Sequence, residues 1–328
     1  MNSKNPTYFA ARNGYQGFTS YFDEVFCPKE FTKIFILKGG PGTGKSTLMK
    51  KIRSAFGNLC ESVESILCSS DPNSLDGVIL TLGNRKIAIL DGTSPHATDP
   101  TLPIALEEIV DLGRAVNEER IVPHRKELTK LLEQKKFSYK LAYHFLLVCG
   151  EIDGNYRAVC EQRCEGGEKS ELKELLDGLC FCRQGKKKIR LYNAFGKDGL
   201  TEIGYAMDPN TRMIKIQNNA PLMQSLCQFI SKQKKEFIFV PDALSGKTKC
   251  LYLPDVSIAL VHDDTPLLNE EMQHIYDESL LLAQAHFADA SKHHFKMEEI
   301  YRGSLQFDCL DETAEDLVEK IKVLFSIS

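Results

Sequence analysis

Residues Ile34 to Ile52 leave this chain little choice of local fold. Ile34-Phe35-Ile36-Leu37 is an apolar run that reads as a buried strand, a glycine-rich loop follows, and Ser46 to Ile52 reads as the start of a helix. Within that frame the spacing G-x-x-x-x-G-K-S is met at Gly39, Gly44, Lys45 and Ser46. Glycines let successive backbone N–H groups turn inward around a phosphate, and the helix N-terminus adds partial positive charge. The pattern predicts a cradle at Gly39, Gly40, Pro41, Gly42, Thr43 and Gly44. It places Lys45 at the β- and γ-phosphates, the Ser46 hydroxyl on Mg²⁺ and Thr47 at the α-phosphate. The expected ligand is a nucleoside triphosphate, with ATP the default because no Asn-Lys-x-Asp guanine signature is present.

A second signal supports the first. Lys86-Ile87-Ala88-Ile89-Leu90-Asp91 reads as a buried strand ending in a carboxylate. Ligands of parallel α/β sheets sit at the carboxyl ends of strands, so Asp91 is expected beside the loop, holding Mg²⁺ together with Ser46. Motor-type ATPases usually place a glutamate directly after this position; here Gly92 follows, then Thr93-Ser94-Pro95-His96. His96 either orients a water or substrate or is a surface loop histidine. Between the two motifs, Val63 to Val78 reads as a strand running into a polar loop. Asp71 and Asp76 there are candidates to face a water or a phosphoryl acceptor, and equally ordinary turn residues.

The chain has 328 residues, 42% hydrophobic and 26% charged, with a formal net charge of −4. That composition suits one large or two medium globular domains and gives no reason to expect a nucleic-acid or anionic-membrane surface. The first residues lack the apolar core of a signal peptide, and no apolar run approaches a membrane span, so cytoplasm is the expected location. Eleven cysteines then read as reduced, mostly buried thiols. Cys160, Cys164, Cys180 and Cys182 are close in sequence, but their spacing is not a common zinc pattern.

From Pro103 to about Cys164 the pattern becomes helical. Leu128, Leu131, Leu132, Tyr139, Tyr143 and Leu146 recur at helical spacing after Pro123. With Ile104 to Arg120 this segment is expected to form a helical hairpin, packed as an extra layer or acting as a lid. Arg114, Arg120 and Arg125 are candidates there for stabilising phosphate charge. The basic run Arg183 to Arg190 reads as a solvated connection.

Beyond it the second half echoes the first. Tyr192 to Leu200 resembles Ala11 to Phe18, and Met213 to Ile216 stands where Lys33 to Ile36 stood. Glu236 to Asp242 parallels the strand before Ser69, and Val256 to Pro266 parallels Arg85 to Pro95. Leu282 to Phe287 resembles Leu141 to Phe145, and Leu172 to Leu179 corresponds to Asp311 to Phe325. The glycine loop is lost in the copy: Gln217 to Ser225 holds neither glycine nor lysine, and ungapped alignment puts His262 at the place of Asp91. The expected fold class is α/β, with parallel sheets flanked by helices and an internal duplication carrying helical insertions. The expected domains are residues 1–184, with a helical arm over about 103–164, and a degenerate domain over 185–328.

Gly17-Phe18, Ile34 to Ile52, Cys68-Ser69-Ser70-Asp71, Ser74 to Val78 and Asp91-Gly92-Thr93 with Pro95-His96 together resemble a family of tandem P-loop ATPases found in Firmicutes. Its members commonly carry a second intact loop, from which this chain departs at Gln217 to Ser225. The resemblance implies P-loop nucleotide chemistry in the first half and supplies no substrate. Three readings are therefore carried forward: a Mg²⁺-dependent ATPase, a nucleotide or small-molecule kinase, and a non-hydrolysing switch. A protein partner or small-molecule acceptor is left open.

Overall fold

The computed structural model describes residues 5–161, 184–217, 220–263 and 268–327. The chain divides into two compact units that interleave in sequence. The unit carrying the glycine loop is drawn from Lys4–Thr7, Phe26–Leu141 and Ala285–Ser328; the other includes Tyr8–Val25 and Ala142–Gln284.

In the glycine-loop unit the apolar runs form a sheet in the order Ser62–Leu67, Leu75–Leu82, Arg85–Asp91, Lys33–Lys38, Glu107–Asp111. Lys33–Lys38 pairs in parallel with both of its neighbours, Arg85–Asp91 and Glu107–Asp111. Leu75–Leu82 runs antiparallel to the strands on either side of it. The sheet is therefore mixed, where parallel sheets were expected. The cause is local: the register Leu82↔Arg85 leaves only Gly83-Asn84 between the two strands. A loop that short joins only antiparallel neighbours, and Gly83 supplies the positive φ of 59° that it needs.

The expected helical hairpin from Ile104 is also corrected. Glu107–Asp111 is an edge strand, followed by a 3-10 turn at Leu112–Ala115 in which Asp111 accepts from the Gly113 N–H. Buried Glu107 fixes the strand's entry by accepting from the backbone N–H groups of Thr101 and Leu102. Helix begins in earnest at Arg125, as Pro123 suggested, and runs to Glu161.

The helix Lys45–Phe56 lays Leu48, Met49, Ile52 and Phe56 on the sheet, the spacing of one helical face. The helix Phe307–Phe325 adds Ala314, Leu317, Ile321 and Phe325 to the same core. Ile52 is fully buried there. Ile52→Val should lower unfolding free energy by about 0.5–1.5 kcal/mol, read from chemical denaturation, with the glycine loop untouched.

The other unit holds a five-stranded sheet in the order Arg212–Gln217, Ile258–Asp263, Thr248–Leu253, Phe237–Pro241, Lys187–Ile189. Its first four strands repeat the parallel, antiparallel, antiparallel pattern of Lys33–Lys38, Arg85–Asp91, Leu75–Leu82 and Ser62–Leu67. Two β-hairpins of equal register also lie in this unit, closing at Gly14↔Gly17 and at Gly196↔Gly199. Lys187–Ile189 lies in the basic run and pairs with Phe237–Phe239, so that run is partly sheet and not only a solvated connection.

Six residues, Gly39 to Gly44, separate the strand Lys33–Lys38 from its helix. In the second sheet only Asn218 and Asn219 stand between the strand Arg212–Gln217 and the helix Ala220–Lys232. Ile258 and Leu260 share a core with that helix, as Ile87 and Ile89 do with Lys45–Phe56. By strand alternation His262 holds the place that Asp91 holds in the other sheet.

The cysteines Cys27, Cys60, Cys68, Cys149, Cys227, Cys250 and Cys309 are free thiols. The side chains of Cys160, Cys164, Cys180 and Cys182 lie outside the described residues, as does the segment Leu172 to Leu179. Among the described residues no helix is long and apolar enough to cross a membrane.

Candidate active site around the glycine loop

The strand Lys33–Lys38 delivers the chain into the loop, and Lys45 opens the helix that leaves it. Gly39, Gly42 and Gly44 adopt φ of 151°, 71° and 91°, conformations open to glycine and strained for other residues. Gly40 is required by space instead, because a Cβ there would lie 2.6 Å from the Tyr301 ring. Thr43 is fully buried and its hydroxyl donates to the Gly40 carbonyl at 2.9 Å, tying the loop across its base. Pro41 is half-buried, and Thr47, the third residue of the helix, is exposed.

Lys45 Nζ donates to the carbonyls of Gly39 and Gly40, each at 3.0 Å, and lies 3.8 Å from Asp91 Oδ2. Asp91 is held from its other oxygen, which accepts from the Thr93 N–H at 2.9 Å and the Thr93 hydroxyl at 2.6 Å. Ser46 Oγ accepts from the Leu75 N–H at 3.0 Å. Lys38 steadies the loop after Asp91 by donating to the carbonyls of Gly92 and Thr98. Lys45 thus joins the loop's carbonyls to Asp91, and Ser46 ties the start of the helix to the strand Leu75–Leu82.

The three candidates beyond the motifs separate cleanly. Asp71 Oδ1 faces the Asn73 N–H and side-chain amide at 3.4 Å, the geometry of a turn residue. Asp76 lies near the start of the strand Leu75–Leu82, is only 7% exposed, and His96 Nε2 sits 3.3 Å from its Oδ2. That contact keeps the carboxyl beside the imidazole inside the buried part of the unit. Burial pushes the Asp76 carboxyl above the ordinary carboxylate range, the neighbouring Asp91 charge adds to this, and His96 works against it. His96 is itself buried, not a surface loop residue.

Helical segments distant in sequence complete the surroundings. Lys135, on the helix Arg125–Glu161, lies 3.0 Å from His294 Nδ1 on the helix Glu270–Gly303. Burial lowers the Lys135 pKa, and the nearby Lys45 charge lowers it further against the opposing pull of Cys68 and Glu298. Glu298 is held below its ordinary value chiefly by His294, 3.5 Å away, and its backbone packs against Gly42. Tyr139 reaches the Ser70 hydroxyl. Lys45 and Lys135 are both half-buried and close enough for each to feel the other's charge, with Asp91 opposite Lys45 and Glu298 near Lys135.

Motif reading had not placed Lys135, His294, Glu298 or Tyr301 here. The only sequence trace is the one-face spacing of His294, Glu298 and Tyr301, which any amphipathic helix could show. Arg114, Arg120 and Arg125 are exposed. Among the described residues no cluster of three His, Cys, Asp or Glu side chains suits a metal. Comparison with family models, with curated proteins and with solved structures gives no match.

Proposed function

We propose that the glycine-loop unit is a P-loop domain that binds and hydrolyses a nucleoside triphosphate, with ATP as the default substrate and Mg²⁺ as its ion. The observation that carries this reading is Lys45 facing Asp91 from the end of a loop whose glycines take positive φ, with Ser46 next to it in the chain. An aliphatic ammonium at the loop's mouth offers the phosphate a counter-charge, and the loop's N–H groups offer it donors. Mg²⁺ keeps several waters and binds through one or two protein oxygens plus the substrate phosphates, so a serine hydroxyl and one carboxylate fit it. When bound, it would neutralise charge on the transferred phosphoryl group.

The chain's own groups divide the remaining work. Lys45 leaves the Gly39 and Gly40 carbonyls to meet the terminal phosphates. Asp76, ionised, takes the proton of the attacking nucleophile; His96 orients the carboxylate. The other unit is the degenerate copy of an internal duplication, its loop too short and glycine-free to cradle a phosphate.

Titration of the purified chain with ATP tests the reading, with and without Mg²⁺, alongside phosphate release. Binding and turnover that both need Mg²⁺ are expected. Asp91→Asn should raise the Mg²⁺ concentration for half-maximal turnover by about 10–100-fold, as losing a group that holds the ion does elsewhere. Absence of ATP binding at any Mg²⁺ concentration overturns it.

The buried Asp76 beside Asp91 also suits a second reading, in which the nucleophile is the hydroxyl of a small-molecule acceptor rather than water. Phosphate release that is replaced by a phosphorylated product when one metabolite is added would decide for the kinase.

A further inference from the structure

Beside the glycine loop, within the same unit, lies a cavity of about 240 Å³. Gly42, Gly44 and Thr47 form one wall, and Leu305, Phe307 and Leu310 form another. Leu310 sits 3.8 Å from where a Gly44 Cβ would project, so the helix Phe307–Phe325 comes up against the loop itself. The lining is more apolar than polar, with Leu48, Leu112 and Ala314 adding to the three side chains of the second wall. Lys51 and Asp311 line the cavity too, but they satisfy each other at 2.6 Å. Arg302 brings a planar cation to it.

The cavity has a defined place along any bound triphosphate. Thr47 follows Ser46 and marks the α-phosphate end of the cradle, whereas Lys45, Asp91 and Asp76 mark the end where the terminal phosphate reacts. None of those three lines the cavity. A whole drug-sized ligand needs roughly 300–1,000 Å³, so this space suits a single ring system, not a complete nucleotide. Phe307 is 59% exposed, an aromatic ring left at the edge of an apolar hollow. Such a ring stacks on a nucleobase, and a guanidinium lies favourably over the same π-face.

We infer that this cavity receives the base of the nucleotide, and that it prefers purines to pyrimidines by ring area, with little discrimination between adenine and guanine. The inference rests on the P-loop reading above. Apolar burial scales with area, so the two-ring base gains more. Selection between adenine and guanine needs donors or acceptors held in fixed, buried positions, whereas Lys51 and Asp311 are exposed side chains tied to each other.

Competition binding to the full chain tests this with ATP, GTP, CTP, UTP and inorganic triphosphate as probes. In the wild type, ATP and GTP should agree within about threefold, while CTP and UTP bind about tenfold more weakly. Phe307→Ala should weaken ATP and GTP by about tenfold, narrow the purine–pyrimidine gap and leave inorganic triphosphate unchanged. Phe307→Tyr should restore purine affinity. Equal affinity for all four nucleotides, or a Phe307→Ala chain with purine preference intact, overturns the inference. Inorganic triphosphate separates the two claims, because its binding should depend on Lys45 and not on Phe307. If it binds regardless of Lys45, the P-loop reading itself fails, and this inference with it.

Discussion

Lys45→Ala should lower the rate of phosphate release by at least about 10²–10³-fold, the usual cost of removing one preorganised donor from a charged transition state. Lys45 bridges the Gly39 and Gly40 carbonyls and faces Asp91 Oδ2 at 3.8 Å, so no other lysine on the helix Lys45–Phe56 occupies its place. Lys50 and Lys51 are engaged elsewhere, with the Asn73 carbonyl and with Asp311. Affinity for ATP should fall as well, since the loop N–H groups would face the phosphates without their ammonium. The fold should persist, because alanine is the strongest helix former and the position is the first of its helix. Lys45→Arg should not rescue turnover: a planar five-donor fork cannot enter a space shaped for a compact ammonium. Far-UV circular dichroism matching the wild type, with turnover lost, is the expected pair of results. Undiminished turnover in Lys45→Ala would remove the P-loop reading.

What could be read from the sequence was what local chemistry dictates. The strand, glycine loop and helix from Lys33 to Phe56 were legible because glycine spacing and the apolar run constrain the backbone within a few residues. Asp91 was legible for the same reason, as the end of an apolar strand. The mixed direction of the sheet was missed because Gly83-Asn84 was not read as a two-residue hairpin. Glu107–Asp111 was read as part of a helical hairpin with the segment after Pro123, whereas pairing with Lys33–Lys38 makes it a strand. The shared order of the two sheets was legible only as a chain of weak matches whose sequence of occurrence agreed. The rest of the site lay beyond any local reading. Glu298 and Tyr301 reach the loop from a helix more than 200 residues away in sequence, His294 stands beside Glu298, and only the packing of that helix brings them there. Asp76 was a candidate on the same footing as Asp71 until burial and turn geometry separated them.

Asp76→Asn should reduce turnover by about 10²–10⁴-fold, the range for loss of a positioned general base, while making the chain more stable at neutral pH. The two effects share one cause. Burial raises the Asp76 pKa in the folded chain above the 3.8 of the free side chain. Between those two values the folded chain holds a proton that the unfolded chain has released, so stability falls as pH rises through the folded value. Above it, the folded chain carries a buried carboxylate whose desolvation its neighbours offset only in part, a standing cost. Asparagine removes that charge at nearly the same volume. Each kcal/mol recovered should raise the melting temperature of a unit this size by about 2–4 °C. Turnover should depend on pH in the opposite sense, since only ionised Asp76 accepts a proton. The wild-type rate should climb through a pKa above the ordinary carboxylate range, and the Asp76→Asn residual rate should lack that limb. His96→Ala, which withdraws a partner favouring the carboxylate, should shift the limb to higher pH without abolishing it. A purely structural role would give a destabilised Asp76→Asn chain whose remaining turnover keeps the wild-type pH profile. A gain in stability together with a lost acid limb is the signature of a carboxylate kept in the core for its chemistry.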